Sequence, residues 1–123
     1  MPDITLYAIP QCDTVKKSRA WFDNQRLPYR FHDYKKLGVP ADHWELWCRR
    51  LGCTALVNRQ GTTWRKLAPQ FQEAIQSDAG ALGLVSAYPS VIRRPVVEWM
   101  GTNGLMVSVG WAPELWEQWR LEN

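Results

Sequence analysis

Apolar residues open the chain as a short unbroken run, Ile4-Thr5-Leu6-Tyr7-Ala8-Ile9, closed by Pro10. The run is β-branched and aromatic and has the length of a buried strand, and proline ends it because it cannot donate to a β-ladder. After Gln11-Cys12, Asp13 or Thr14 stands where a cap is needed for a helix through Lys16, Lys17, Arg19 and Trp21. From Leu27 to Tyr34 large and polar residues alternate, which predicts a second strand. The strand–helix–strand connection has the length of a right-handed βαβ unit, so the two strands are expected to be parallel.

Lys35, Lys36 and Gly38 break the alternation. Val39-Pro40-Ala41-Asp42 then opens a helix with proline near its first turn. Trp44, Trp47, Cys48 and Leu51 recur at helical spacing and form an apolar stripe that stops at Gly52. Thr62 and Thr63 are placed to cap a short helix over Trp64-Arg65-Lys66-Leu67. Two more short helices are expected over Phe71 to Gln76 and Ala79 to Tyr88, the second capped by Asp78.

Strand patterning returns from Val91 to Trp99 and again from Leu105 to Val109, and the Asn103-Gly104 pair between them signals a hairpin. Gly110 ends the last strand. Ala112-Pro113-Glu114 starts a final helix with Leu115, Trp116 and Trp119 toward the core and Glu117, Arg120 and Glu122 outward. The order is β-α-β, helices, then β-β-α. This is an α/β, thioredoxin-type layout with a mixed sheet and a helical insertion at about residues 40–88, read as one domain over 1–123.

Composition narrows the function classes. At 123 residues, 46% of them apolar and 22% charged, the chain is of ordinary globular make-up. It is large enough to fold without disulfides or a metal, and its eight tryptophans supply much of the core area. There is no apolar run of membrane-spanning length and no charged-then-apolar leader, so neither a membrane span nor a signal peptide is expected. Three cysteines at unrelated spacings argue against a secreted disulfide scaffold and for a reducing compartment, the cytoplasm. The net charge of +3 suits small anionic ligands. The basic residues are scattered and no nucleic-acid reading motif is present, so nucleic acid is not expected as a partner. Nothing demands more than a monomer.

Cys12 is the first chemical candidate. It lies at or just before a helix N-terminus, where free backbone N–H groups and the helix dipole favour an anion, and Lys16 and Lys17 follow within about a turn. Such surroundings lower a cysteine pKa, and the thiolate is the nucleophile. The alternative is a small apolar residue packed under the turn. Cys48 lies on the apolar stripe and reads as core, while Cys53, just past the helix stop, reads as a second reachable thiol. Their spacing is not CxxC, and His32 has no Cys or His at ligand spacing, so no metal site is expected.

Pro95 opens the apolar run of a central strand, and a cis peptide after Arg94 would accommodate it there. With YAIPQC near the start, ALVNRQGTTWRKL in the middle and VIRRPVV before the hairpin, the chain resembles the arsenate reductase/Spx/YffB-like family along nearly its whole length, and is most similar to the YffB branch. The resemblance implies a thioredoxin-like fold with a cis-proline beside the active-site cysteine. It matches Cys12 to the family's nucleophile and Arg94 to the arginine that helps hold the oxyanion in arsenate reductases. Two other arginines of those enzymes fall at Asn58, with Arg59 one residue on, and near Val107, and their histidine before the cysteine is replaced by Ala8. The CxxC switch of Spx regulators is missing, because Val15 stands three residues after Cys12.

The resemblance and the residues together imply a glutathione-dependent monothiol reductase, a thiol/disulfide oxidoreductase without a metal. Cys12 thiolate would attack a small thiol-derived, disulfide or oxyanion substrate, and glutathione as co-substrate would resolve the mixed disulfide. Arg94 and Lys16 would attract glutathione carboxylates or an anionic substrate, Pro95 would present backbone to the tripeptide, and Thr14, Arg59 and Arg65 would line the site. Two alternatives remain open: arsenate reductase proper, and a non-catalytic Spx-like regulator that binds RNA polymerase.

Overall fold

The structure, a computed structural model, describes residues 2–123. In chain order the elements are β1 (Asp3–Ala8), α1 (Asp13–Asn24), β2 (Arg30–Asp33), α2 (Tyr34–Leu37), α3 (Ala41–Leu51), α4 (Cys53–Leu56), α5 (Thr62–Lys66), α6 (Pro69–Glu73), α7 (Asp78–Ala87), β3 (Val96–Gly101), β4 (Gly104–Val109) and α8 (Pro113–Glu122). Single 3-10 turns occupy Ala74–Gln76 and Pro89–Val91. The chain divides into two compact units: residues 1–33 with 94–123, and residues 34–93.

The first unit is a mixed sheet in the order β2-β1-β3-β4, with β1 parallel to β2 and antiparallel to β3, and β3 antiparallel to β4. Strand alternation divides its residues between two faces. On one face Ile4 and Leu6 of β1 and Val97 and Trp99 of β3 pack with Phe22 of α1 and with Trp116 and Trp119 of α8. The Phe22 ring lies 5.0 Å from that of Trp116, and Trp99 meets Trp119 edge-on at 5.7 Å. Aromatic rings dominate this core, as the tryptophan content suggested. Inside it the Trp116 indole N–H donates to the Ser108 hydroxyl at 2.8 Å. On the other face the Tyr7 hydroxyl donates to Glu98 Oε1 at 2.8 Å, and both residues are buried. This is the expected thioredoxin-like β-α-β … β-β-α arrangement, parallel pair included.

Several boundaries differ from the sequence expectation. The second strand starts at Arg30 because Leu27 spends its N–H on the Phe22 carbonyl and Pro28 has none to give. It stops at Asp33, since Tyr34 opens a helical turn whose carbonyl accepts from Gly38 N–H. The third strand starts at Val96, not Val91: Val91 closes a 3-10 turn, and Ile92 bridges to Val57 within the second unit. Leu115, expected in the core, is 38% exposed. The hairpin forms where expected, with Gly101 opposite Gly104 and Gly104 at φ +114°.

The second unit is helical. Trp44 and Trp47 are its largest fully buried side chains, as the stripe predicted, and Leu56, Trp64, Ile75, Ala81, Leu84 and Val85 are buried with them. Ser77, not Asp78, caps α7, its hydroxyl accepting from Gly80 N–H. The helix after Gly61 starts at Thr62 with no side-chain cap, so neither threonine caps it. Asn58 N–H donates to the Val91 carbonyl and Arg93 N–H to that of Leu56, which closes the unit at its end. Cys48, expected in the core, and Cys53, expected as a second reachable thiol, are instead joined as a disulfide, and both are half-buried. Gly52 at φ +85° turns the chain so that Cys53 comes back onto the last turn of α3. No described helix is long and apolar enough to cross a membrane.

Candidate active site

β1 delivers the chain to Cys12, and the turn Ile9 to Gln11 separates strand from helix. Cys12 itself, rather than Asp13 or Thr14, is the N-cap of α1: its backbone is extended at φ −147° and ψ 129°, and its carbonyl accepts the first helical bond from Lys16 N–H at 3.0 Å. The reason is local. Helical dihedrals begin only at Asp13, so the residue left to face the orphan N–H groups of the first turn is the cysteine.

The Cys12 side chain makes no capping hydrogen bond, but Arg94 and the first backbone N–H groups of α1 act on how its sulfur titrates. Partial burial by itself pushes the Cys12 thiol up. The Arg94 side-chain hydrogen bond, the backbone N–H groups of Val15 and Thr14, and the Arg94 charge outweigh it, and the Cys12 pKa lies below the ordinary cysteine value. A thiol so held carries more thiolate near neutral pH than a free cysteine, and is the better nucleophile for it. Cys12 is the free cysteine of the chain.

Arg94 reaches this point from the segment that enters β3. The Arg94–Pro95 peptide is cis, as expected from proline at the head of a central strand. Pro95 is buried, and its carbonyl accepts from Gly110 N–H at 2.9 Å; the C-terminal ends of β1 and β4 and the start of β3 lie together at one end of the sheet. Thr14 is half-buried in the first turn of α1, where its carbonyl accepts from the Ser18 hydroxyl at 2.7 Å. Lys16 is exposed one turn along. Arg59 and Arg65 belong to the second unit and are exposed there, the first in the turn after α4 and the second on α5.

The sequence reading did not single out the Val15 N–H, although its position is simple: Val15 is the third residue after the N-cap, where an orphan N–H of the first turn faces the cap side chain. Among the described residues no cluster of three or more His, Cys, Asp or Glu side chains could hold a metal. The arrangement is a thiolate with cationic and backbone donors around it, fit to attack an electrophilic sulfur or an oxyanion.

Similarity to known proteins agrees with this chemistry. Residues 7–119 match the ArsC family. A solved YffB protein is 40% identical, covers 94% of this chain and 97% of its own, and superposes with a TM-score of 0.83. An arsenate reductase-related protein from Brucella melitensis is 36% identical over 96% of this chain and 94% of its own, with a TM-score of 0.66. The global transcriptional regulator Spx of Streptococcus pneumoniae is 24% identical over 76% of this chain and 71% of its own. The chain belongs to the ArsC family, thioredoxin-like in fold and thiol reductase-like in the chemistry its site presents.

Proposed function

We propose that the protein is a glutathione-dependent monothiol reductase with Cys12 as its nucleophile. The observation that carries the reading is Cys12 as the N-cap residue of α1, its pKa lowered by Arg94 and by the backbone N–H groups of Val15 and Thr14. Cys12 thiolate attacks one sulfur of a small disulfide; the new S–S bond forms as the old one breaks, and the departing thiolate takes a proton. Glutathione thiolate then attacks the other sulfur of the mixed disulfide, the one not belonging to Cys12; Cys12 is expelled as thiolate and the product is glutathione disulfide when the first adduct was itself glutathione. An external thiol is needed because the other two cysteines are bonded to each other.

Arg94 acts twice in this scheme, stabilising the thiolate and pairing an incoming carboxylate, for which a guanidinium fork is suited. Lys16 adds attraction for anions, Thr14 supplies backbone at the cap, and Pro95 presents backbone to the tripeptide. Arg59, one residue from the position of a family arginine, and Arg65, which otherwise reads as part of a solvated helix face, are assigned to the substrate side. The protein is taken to act as a cytoplasmic monomer on small thiol-derived, disulfide or oxyanion substrates. Arsenate is one such oxyanion, and the Brucella relative favours testing it.

The test is the pH dependence of Cys12 alkylation with Cys48 and Cys53 replaced by Ser, with and without glutathione. A midpoint below that of free cysteine, with glutathione protecting the thiol or joined to it as a mixed disulfide, supports the reductase. A Cys12 that titrates as free cysteine and ignores glutathione overturns it. A second reading rests on the similarity to Spx: a regulator that binds RNA polymerase without catalysis. Capture of polymerase by a Cys12→Ala variant as well as by the wild type would favour that reading, since docking needs no thiolate.

A further inference from the structure

The junction of α3 and α4 brings a second pair of sulfurs together. Cys48 lies in the last turn of α3 and Cys53 opens α4, five residues on, with Cα atoms 4.5 Å apart. The backbone sets this approach. Gly52 stands at φ +85°, its N–H donates to the Cys48 carbonyl at 2.8 Å, and Ala55 N–H donates to the Gly52 carbonyl at 3.2 Å. Both cysteines are half-buried and line a hollow of about 340 Å³, together with Arg49, Ile75 and Asp78. The Asp78 carboxylate is 3.9 Å from the Cys53 sulfur.

We propose that Cys48 and Cys53 are a reversible redox site for thiol–disulfide exchange with small thiols and disulfides of the glutathione class, independent of the chemistry at Cys12. A bond across so short a loop restrains the unfolded chain less than one across a long loop, so stability is a weak reason for it. Access is the stronger reason: exchange needs room for an incoming sulfur, and the hollow opens on both cysteines.

In the oxidising direction one cysteine thiolate attacks glutathione disulfide, forming a mixed disulfide and expelling one glutathione thiolate. The other cysteine thiolate then attacks the protein sulfur of that adduct, closing the Cys48–Cys53 bond and expelling the second glutathione. Two protein thiols are oxidised, one disulfide is reduced to two thiols, and the two protons end on the released glutathiones. The second step is intramolecular and fast, because the backbone already holds the sulfurs in reach. Asp78 tunes the rate. Its charge disfavours both an approaching thiolate and negative charge on the Cys53 sulfur as it departs.

The test uses the full chain with Cys12→Ser, equilibrated at a series of ratios of glutathione to glutathione disulfide, quenched with acid, alkylated and weighed. The expected result is one transition between zero and two alkylated cysteines, with little glutathione adduct at any ratio. Adding Cys48→Ser leaves Cys53 to carry one glutathione; should that variant not fold, Cys53→Ser gives the same readout at Cys48. Asp78→Asn speeds the approach to equilibrium by about two- to fivefold, the size of a screened interaction at an exposed site. Two alkylated cysteines at every ratio overturn the proposal. So does a bond that survives fully reduced glutathione, and so do separate adducts on both sulfurs in place of the internal bond.

Discussion

The Arg94 side chain hydrogen-bonds the Cys12 sulfur, although the whole of residues 34–93 lies between the segments that carry them. Arg94→Ala removes both the bond and the charge, and leaves burial to act on the thiol with only the backbone donors opposing it. The midpoint of Cys12 alkylation is expected to rise, and the rate at pH 7 to fall several-fold. Arg94→Lys, which keeps the charge without the guanidinium fork, should lie between. Stopped-flow alkylation across pH measures both; an unmoved midpoint in Arg94→Ala would show that the cap alone holds the thiolate.

The Tyr7–Glu98 hydrogen bond makes a separate prediction for stability. Burial first, then the bond to Glu98 and the Glu98 charge, hold the Tyr7 phenol protonated well above the usual tyrosine range. A raised folded-state pKa contributes stability that is fully present below the unfolded value of about 10 and is lost as pH rises beyond it. The wild type should therefore weaken in denaturant above about pH 10. Tyr7→Phe should lose that part of the slope and should cost about 1–2 kcal/mol near neutrality, through one donor fewer at a buried carboxyl.

Within the aromatic core, Trp116 and Ser108 should be energetically coupled. Ser108→Ala leaves a buried indole N–H without its acceptor and should cost about 1–2 kcal/mol. Trp116→Phe loses the same bond and leaves a void, for about 2–4 kcal/mol. The double variant should cost less than the sum by about 0.5–2 kcal/mol in chemical denaturation, because the second change removes a group the first has already orphaned. Strict additivity would mean the bond contributes nothing.

Gly52→Ala should destabilise by about 1–3 kcal/mol, from conformation alone. A Cβ there meets no atom within 4 Å, so crowding is not the cause; φ +85° is. The urea midpoint should fall without a change in slope.

Much of this was legible in the sequence. Strand alternation and the Asn103-Gly104 turn located the sheet, and proline at the head of a buried strand pointed to the cis peptide and so to Arg94. The stripe of Trp44 and Trp47 located a buried helix face. What escaped depended on backbone hydrogen bonds that no local pattern reveals. Leu27 N–H turns back to Phe22 and shortens β2, and the 3-10 turn at Pro89–Val91 diverts Val91 and Ile92 from β3. The pairing of Cys48 with Cys53 escaped for a related reason. Helical spacing put Cys48 on the apolar stripe, and only the positive φ at Gly52 shows that the chain returns to it.

The sheet order carries a consequence for the growing chain. β1 and its thiol leave the ribosome early, yet the strand that pairs antiparallel with β1 is β3, encoded after the whole of residues 34–93. Bringing β1 and β3 together means closing a long loop, the slow and entropically costly kind of contact. The second unit is complete in sequence before that closure is possible. Until the segment entering β3 arrives, Cys12 has no Arg94 guanidinium beside it, and only the backbone N–H groups of the first turn of α1 offset the effect of burial on its thiol. The Arg94 share of its thiolate stabilisation therefore comes only with the finished sheet.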